Sequence, residues 1–206
     1  MAIDVLKYNK VGKSQAVTQP VSKSVVGLDR DGIINEIPLK GFVKNKDDLV
    51  IIPGALEAIK MIRDKGYAVS IISDQPYIAK GAITQFDVDA VNQYLMEIFG
   101  QAGIMSIQGL YYNTSDQKED IYAKPNTGMF KRCENEIPSV KFSKGWYVGD
   151  SIVDLKAALK IGAKPVLIRT GNGANTEQAL EKFAHQELKK KARIYSSLLE
   201  FANELE

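Results

Sequence analysis

Two aspartates stand two positions apart, Asp29 and Asp31, in the stretch Val25-Val26-Gly27-Leu28-Asp29-Arg30-Asp31-Gly32-Ile33-Ile34-Asn35. The apolar run before them, with β-branched Val25 and Val26, predicts a buried strand that opens into a loop at Asp29. Side chains at i and i+2 of a strand leave on one face, so the spacing brings both carboxylates within reach of one divalent cation. Gly32 then permits a sharp turn and aims backbone N–H groups at an anion. A metal held by oxygens beside an amide-lined anion hole suits a phosphoryl group.

Three further polar groups fall where other predicted strands end. Residues 67–72 form an apolar strand that runs into Ser73-Asp74-Gln75, and Trp146-Tyr147-Val148 forms another that runs into Gly149-Asp150-Ser151. Lys124 precedes Pro125 in the loop that follows a strand over 104–112, and Asp154 lies one helical turn after Asp150. Helices are predicted between these strands: one after Gly54 carrying Leu56, Ile59 and Ile62, and one over 84–100 with Val91, Tyr94, Leu95 and Ile98 on its core face. Further helices begin near Thr127 and around Leu155, Ala158 and Leu159. A strand over 165–168, a glycine-rich loop over 169–173, a short strand over 192–195 and a terminal helix through Leu198, Leu199 and Phe201 complete the order. Such alternation predicts an α/β fold, a doubly wound, Rossmann-like and mostly parallel sheet with helices on both faces. In these sheets ligands bind beyond the carboxyl ends of the strands, the edge to which Asp29, Ser73 and Asp150 belong.

The chain of 206 residues suffices for one α/β domain over 24–206, preceded by a polar N-terminal arm over 1–23. Within the arm, Gly12-Lys13-Ser14 resembles the end of a phosphate-binding P-loop, but Lys7 stands where its first glycine belongs and no strong strand precedes it. Residues 36–49 form an irregular, lysine-rich flap. Twenty-seven basic against twenty-five acidic residues give a net charge of +2, which offers no broad attraction to nucleic acid or a membrane. The one basic run, Lys189-Lys190-Lys191, reads as a solvated surface. One cysteine, Cys133, and one histidine, His185, are too few for a structural zinc site, so no zinc is expected. No secretion signal or membrane-spanning run is visible, which makes the cytoplasm the expected location.

The set Asp29-Arg30-Asp31-Gly32, Ser73, Lys124-Pro125 and Gly149-Asp150 with Asp154 resembles the haloacid dehalogenase (HAD) superfamily of phosphohydrolases over nearly all of 24–205. Within it, Leu28-Asp29-Arg30-Asp31-Gly32-Ile33-Ile34-Asn35, Ser73-Asp74-Gln75, Ala79-Lys80-Gly81 and Ile168-Arg169-Thr170-Gly171 resemble the branch of D-glycero-D-manno-heptose 1,7-bisphosphate and histidinol-phosphate phosphatases. The resemblance implies that Asp29 is the nucleophile that forms an aspartyl-phosphate and that Asp31 is the general acid and base. It implies Mg²⁺ held by the Asp29 carboxylate, the Asp31 carbonyl and Asp150. Ser73, Lys124 and Gly32 would bind the phosphoryl group, Asp154 would orient Lys124 or a metal-bound water, and Arg30, Asn35, Asp74 and Gln75 would line the substrate pocket.

Two departures bear on the substrate. The loop 113–123 lacks the zinc-binding cysteines and histidine common in that branch, and Ala123 stands where an arginine is usual. Asp74 replaces a common asparagine, and a carboxylate there either alters specificity or points away. With no large cap domain, the site is expected to be open, covered by the flap and the loop before Lys124. The expected activity is removal of phosphate from a small phosphorylated metabolite, a sugar phosphate first. Histidinol phosphate, nucleic-acid ends, or phosphate binding without turnover on the same fold are the alternatives.

Overall fold

A computed structural model gives the fold and describes Val5–Leu6 and residues 24–206. The arm over 1–23 otherwise lies outside the described residues, as does the fragment Gly12-Lys13-Ser14. The elements run in the order β1 (Val5–Leu6), β2 (Val25–Leu28), α1 (Ala55–Asp64), β3 (Ala68–Asp74), α2 (Gln85–Gln101), β4 (Gly109–Asn113) and α3 (Gly128–Glu136). Then follow β5 (Trp146–Gly149), α4 (Ile152–Ile161), β6 (Lys164–Ile168), α5 (Gly173–Leu180), α6 (Gln186–Lys191), β7 (Arg193–Tyr195) and α7 (Leu198–Glu204).

The strands form one sheet in the order β1-β4-β3-β2-β5-β6-β7. β2 through β7 are parallel, and only β1 runs antiparallel, on the outside of β4. From β2 the chain builds outward through β3 and β4, then returns to lay β5, β6 and β7 on the other side. Where that direction reverses, between β2 and β5, crossover connections diverge and a crevice opens at the carboxyl edge.

Alternation along the strands serves two cores. Val26, Leu28, Val69, Ile71 and Val148 face a cluster completed by Ala58, Ile59 and Ile62 of α1, Val88, Val91 and Leu95 of α2, and Phe201 of α7. Val25, Ala68, Ile72 and Tyr147 face the opposite cluster, with Met129, Phe130 and Cys133 of α3 and Ala157 and Ala158 of α4. Each fully buried aliphatic side chain in these layers contributes about 2 kcal/mol by leaving water, so a charge at Val148 would disrupt the centre of the sheet. Gly27 is required here, since a Cβ would stand 2.8 Å from the rings of Phe142 and Tyr147.

The doubly wound fold is as the sequence predicts, and three local expectations differ. The apolar stretch over 104–108 is not strand: Ile104 is buried as a loop residue in the first core, and pairing begins at Gly109 opposite Ser70. The core face of α2 passes through Phe99 rather than Ile98, alongside Val88, Val91 and Leu95. The glycine-rich loop continues into α5, which buries Gly173, Thr176 and Leu180 and so displays no apolar stripe. The run of lysines is exposed, as expected, in the last turn of α6, which buries only Leu188, with Lys189 and Lys191 paired to Glu181 and Glu187. Among the described residues no helix is long and apolar enough to cross a membrane.

Candidate active site

Three adjacent strands deliver carboxylates and their partners to one edge. β2 ends at Leu28, and the Asp29 N–H still donates to Val148 of β5 at 2.9 Å, which fixes the first aspartate beyond the strand. β3 ends in Ser73 and Asp74, and β5 runs into Asp150. Ser151 then caps α4. Its hydroxyl accepts the Asp154 N–H, and its own N–H donates back to the Asp154 carboxylate at 3.1 Å, a capping box that pins Asp154. A cleft of about 370 Å³ opens over these groups. Asp29, Asp31, Ser73, Asp74, Gln75, Lys124 and Asp150 all line it.

Lys124 enters from the loop before α3, almost fully buried. Its Nζ stands 2.9 Å from Asp29 Oδ2, 2.6 Å from Asp154 Oδ1 and 3.2 Å from the Tyr147 hydroxyl, which itself donates to the Ile72 carbonyl at 2.7 Å. Burial works against the ammonium, but Asp154 and Asp29 outweigh it and hold Lys124 charged above its ordinary range. Burial raises the Asp29 carboxyl well above the usual carboxylate range, opposed by Lys124 and reinforced by Asp154 and Asp150. Asp150 is pushed up to about 6 by burial and by Asp154. These crowded acids meet only one ammonium.

Oxygens of Asp29, Asp150 and Asp154 lie within 4.8 Å of one another. All-oxygen, carboxylate-rich donors suit a hard cation such as Mg²⁺, whose charge would relieve the repulsion that raises Asp29 and Asp150. Asp150 is aimed by Asn172, whose N–H donates to Oδ2 at 2.7 Å, and by Thr176, whose hydroxyl donates to the Asp150 carbonyl at 2.7 Å. Gly32 and Gly171 pack beneath it with φ of +85° and +55°, and a Cβ on either would collide with Asp150 Oδ2.

Asp31 sits differently from the strand-based expectation. Because β2 stops at Leu28, alternation does not carry to Asp31, and its carboxylate is not in the three-aspartate cluster. It accepts instead from Arg30 Nη2 at 3.0 Å, Asn35 Nδ2 at 2.8 Å and Gln75 Nε2 at 2.8 Å. Arg30 has 1 % of its surface exposed and is anchored at its far side by Asn92 Oδ1 of α2 at 2.8 Å. Arg30 and Asn35 therefore hold Asp31 from behind and do not line the cleft, a correction to their expected contact with substrate. Gly32 is corrected as well. Its N–H donates to the Asn35 carbonyl at 2.7 Å, so it serves the close packing under Asp150 instead of an anion.

Asp74 lines the cleft and also fastens the Lys124 loop, accepting the Lys124 backbone N–H at 3.1 Å and Asn113 Nδ2 at 3.1 Å. Burial raises its pKa, with Lys124 opposing. Gln75 bridges Asp31 and Ser73, donating to the Ser73 hydroxyl at 3.1 Å. Tyr147, Asn92, Asn172 and Thr170, whose hydroxyl donates to the Gly32 carbonyl at 2.6 Å, escape the sequence reading. Asn172 and Thr170 had a visible signal, a polar pair in a glycine-rich loop after a strand. Tyr147 and Asn92 lie inside apolar periodic segments and had none. The outer wall of the cleft includes Ile37, Phe42, Pro76, Tyr77 and Val153, with the rings of Phe42 and Tyr77 4.8 Å apart between centroids.

The HAD-hydrolase-like family profile matches residues 121–200. A D-glycero-beta-D-manno-heptose-1,7-bisphosphate 7-phosphatase of Pseudomonas aeruginosa is 34% identical over 158 residues, 76% of this chain and 86% of that protein. The enzyme of the same description from Neisseria meningitidis serogroup A is 30% identical over 176 residues, covering 85% and 90%. The crystal structure of D,D-heptose 1,7-bisphosphate phosphatase from B. bronchiseptica, complexed with magnesium and phosphate, superposes with a TM-score of 0.76 at 25% identity, over 87% of this chain and 96% of that one. A buried ammonium and carboxylate at the switch point of the sheet are thus set in a sequence that aligns with these enzymes over three quarters or more of its length. The chain is a phosphatase and belongs to the HAD-like hydrolases, in the family of these heptose-bisphosphate phosphatases.

Proposed function

We propose that this phosphatase removes phosphate from a small phosphorylated sugar through an aspartyl-phosphate at Asp29, with Mg²⁺ as its cofactor. The observation that carries this reading is the placement of Asp29, which faces the Lys124 ammonium at 2.9 Å and shares a 4.8 Å cluster with Asp150 and Asp154. A carboxylate so placed can be held in line with phosphorus while positive charge screens the phosphoryl oxygens. Asp29 and Asp150, with the Asp31 carbonyl, would hold the Mg²⁺, whose charge would add to that screening. The Ser73 hydroxyl, already an acceptor from Gln75, keeps its proton for a phosphoryl oxygen.

In the first half-reaction the Asp29 carboxylate forms a bond to phosphorus as the bond to the sugar oxygen breaks, and Asp31 gives that oxygen a proton. In the second, Asp31 takes a proton from water, which attacks phosphorus and releases Asp29 and inorganic phosphate. The aromatic and aliphatic wall of the cleft suits the C–H faces of a sugar, and the phosphorylated heptose of the relatives is the first substrate to test. A single buried cysteine, Cys133, which has no partner for a disulfide, fits work in the reducing cytoplasm.

The test is phosphate release from a panel of sugar phosphates with Mg²⁺ or with EDTA, and acid-quench trapping of a phosphorylated protein. Mg²⁺-dependent release with a label on Asp29 supports the mechanism. Release that persists undiminished in Asp29→Asn would sink it.

A further inference from the structure

We infer that the cleft selects a sugar carrying a single phosphate and discriminates against a second one, unlike the bisphosphate named for its relatives; this rests on the sugar-phosphate reading above. The argument is one of charge. Among the described residues, the cleft is lined by the carboxylates of Asp29, Asp31, Asp74 and Asp150, and by one cation, Lys124. Lys124 is already committed to Asp29 and Asp154, and Arg30, behind the wall, is committed to Asp31. Among the described residues, both of these cations are therefore neutralised by acids of the protein. A divalent cation offsets the transferring phosphoryl group, and nothing among the cleft-lining groups remains for another dianion.

The region where the rest of the substrate must lie is apolar with one acid. Ile37, Phe42, Pro76, Tyr77 and Val153 offer rings and methyl groups, on which the C–H face of a sugar can rest. Ser151 and Asn172 also line the cleft, and Asp74 adds a carboxylate. Its two oxygens accept the Lys124 N–H and Asn113 Nδ2 but, with about four acceptor positions, keep room for a hydroxyl or an amine of the substrate. A second phosphate would instead face a carboxylate across a cleft of about 370 Å³. Two lysines stand near the rim, outside the cleft lining. Lys40 Nζ is tied to Asp48 at 2.6 Å and lies 5.5 Å from the Phe42 ring centroid, while Lys80 Nζ lies 4.8 Å from that of Tyr77, and neither lines the cleft.

The test uses a matched pair that differs only in the second phosphate, heptose 7-phosphate and heptose 1,7-bisphosphate. Phosphate release by the full chain with Mg²⁺ gives kcat/KM for each, and calorimetric titration of Asp29→Asn with each gives affinity without turnover. The monophosphate is expected to exceed the bisphosphate at least tenfold in both measurements, and Asp74→Asn, of the same shape but with one acceptor oxygen in place of two, is expected to narrow that ratio several-fold by relieving the bisphosphate. A bisphosphate that binds and turns over as well as the monophosphate overturns the inference while leaving the sugar-phosphate reading intact. Binding of neither by a folded protein overturns both, and turnover of neither with tight monophosphate binding supports the inference and removes the catalytic reading.

Discussion

The Lys124 ammonium stands 2.6 Å from Asp154 Oδ1, with 2 % and 0 % of the two side chains exposed. At that depth each charge depends on the other. Removal of Lys124 leaves two buried carboxylates without their cation, and removal of Asp154 leaves the ammonium with Asp29 alone; breaking a buried pair typically costs about 3 to 5 kcal/mol, whereas an apolar pair of similar volume is often tolerated. Asp154→Asn and Lys124→Met are each expected to lower unfolding stability by that order in urea titrations and to abolish phosphate release. The double variant is expected to be more stable than either single one. Single losses below about 1 kcal/mol, the range of a surface pair, would refute this account.

The Arg30 side chain bears on the cleft through Asp31. It grips the carboxylate with two nitrogens and is braced by Asn92, whose own Nδ2 is buried without a partner. If its task is to set the proton donor, its loss should hurt substrates whose leaving oxygen needs a proton and spare those whose leaving group does not. Arg30→Met is expected to lower kcat/KM on a sugar phosphate about 100-fold, and on p-nitrophenyl phosphate only a few-fold. Arg30→Lys recovers part of the difference. An equal loss on both substrates would mean that Arg30 merely maintains the fold.

Metal and pH act on the same acids. The folded-state pKa of Asp150, about 6, lies above its ordinary value of 3.8 because of burial and Asp154. The folded protein therefore holds that proton longer than the unfolded chain, and without metal this group's contribution, of order 3 kcal/mol, is present below pH 4 and lost as the pH climbs to 6. Mg²⁺ needs the ionised form, so it competes with the proton and restores stability above pH 6. The rise in Tm on adding Mg²⁺, measured against EDTA, is expected to be small at pH 5 and larger at pH 8. A shift that shrinks with rising pH would contradict the placement of Mg²⁺ at Asp150.

Gly171 has a backbone in the left-handed region, and a Cβ there would stand 2.6 Å from Gly32 Cα and closer still to Asp150. Gly171→Ala is expected to lose Mg²⁺-dependent phosphate release and about 1 to 3 kcal/mol of stability through overpacking. Gly81 shares the left-handed conformation, with φ +70°, but a Cβ would meet nothing within 4 Å. Gly81→Ala is the control, expected to cost about 1 kcal/mol of backbone strain and to leave the Mg²⁺ response unchanged. Like effects at both positions would show that strain alone is felt.

The strand ends were legible because each ends an apolar run at a polar residue, and those ends are what place Asp29, Ser73 and Asp150 together. Distances between side chains were not. Sequence spacing paired Asp31 with Asp29, but the chain leaves strand geometry at Asp29, so Asp31 turns toward Arg30, Asn35 and Gln75. Residues that support the site from inside a regular element, such as Asn92 within α2 and Tyr147 within β5, carry no mark in the sequence, since periodicity reports burial and not partners. Helices α5 and α6 went unseen for a related reason. They bury too few side chains to show a stripe.

β2 is hydrogen-bonded to β3 on one side and β5 on the other, and the carboxyl ends of these three strands lie at the cleft. Opening any amide between them breaks the sheet at its middle, so exchange of the Val26, Gly27 and Leu28 amide hydrogens with solvent proceeds through unfolding of the whole sheet. The outermost strands, β1 and β7, are each paired on one side only and can open alone. The centre of the sheet that ends at Asp29 is accordingly its most persistent part, and loss of activity on heating is expected to coincide with the melting of the sheet.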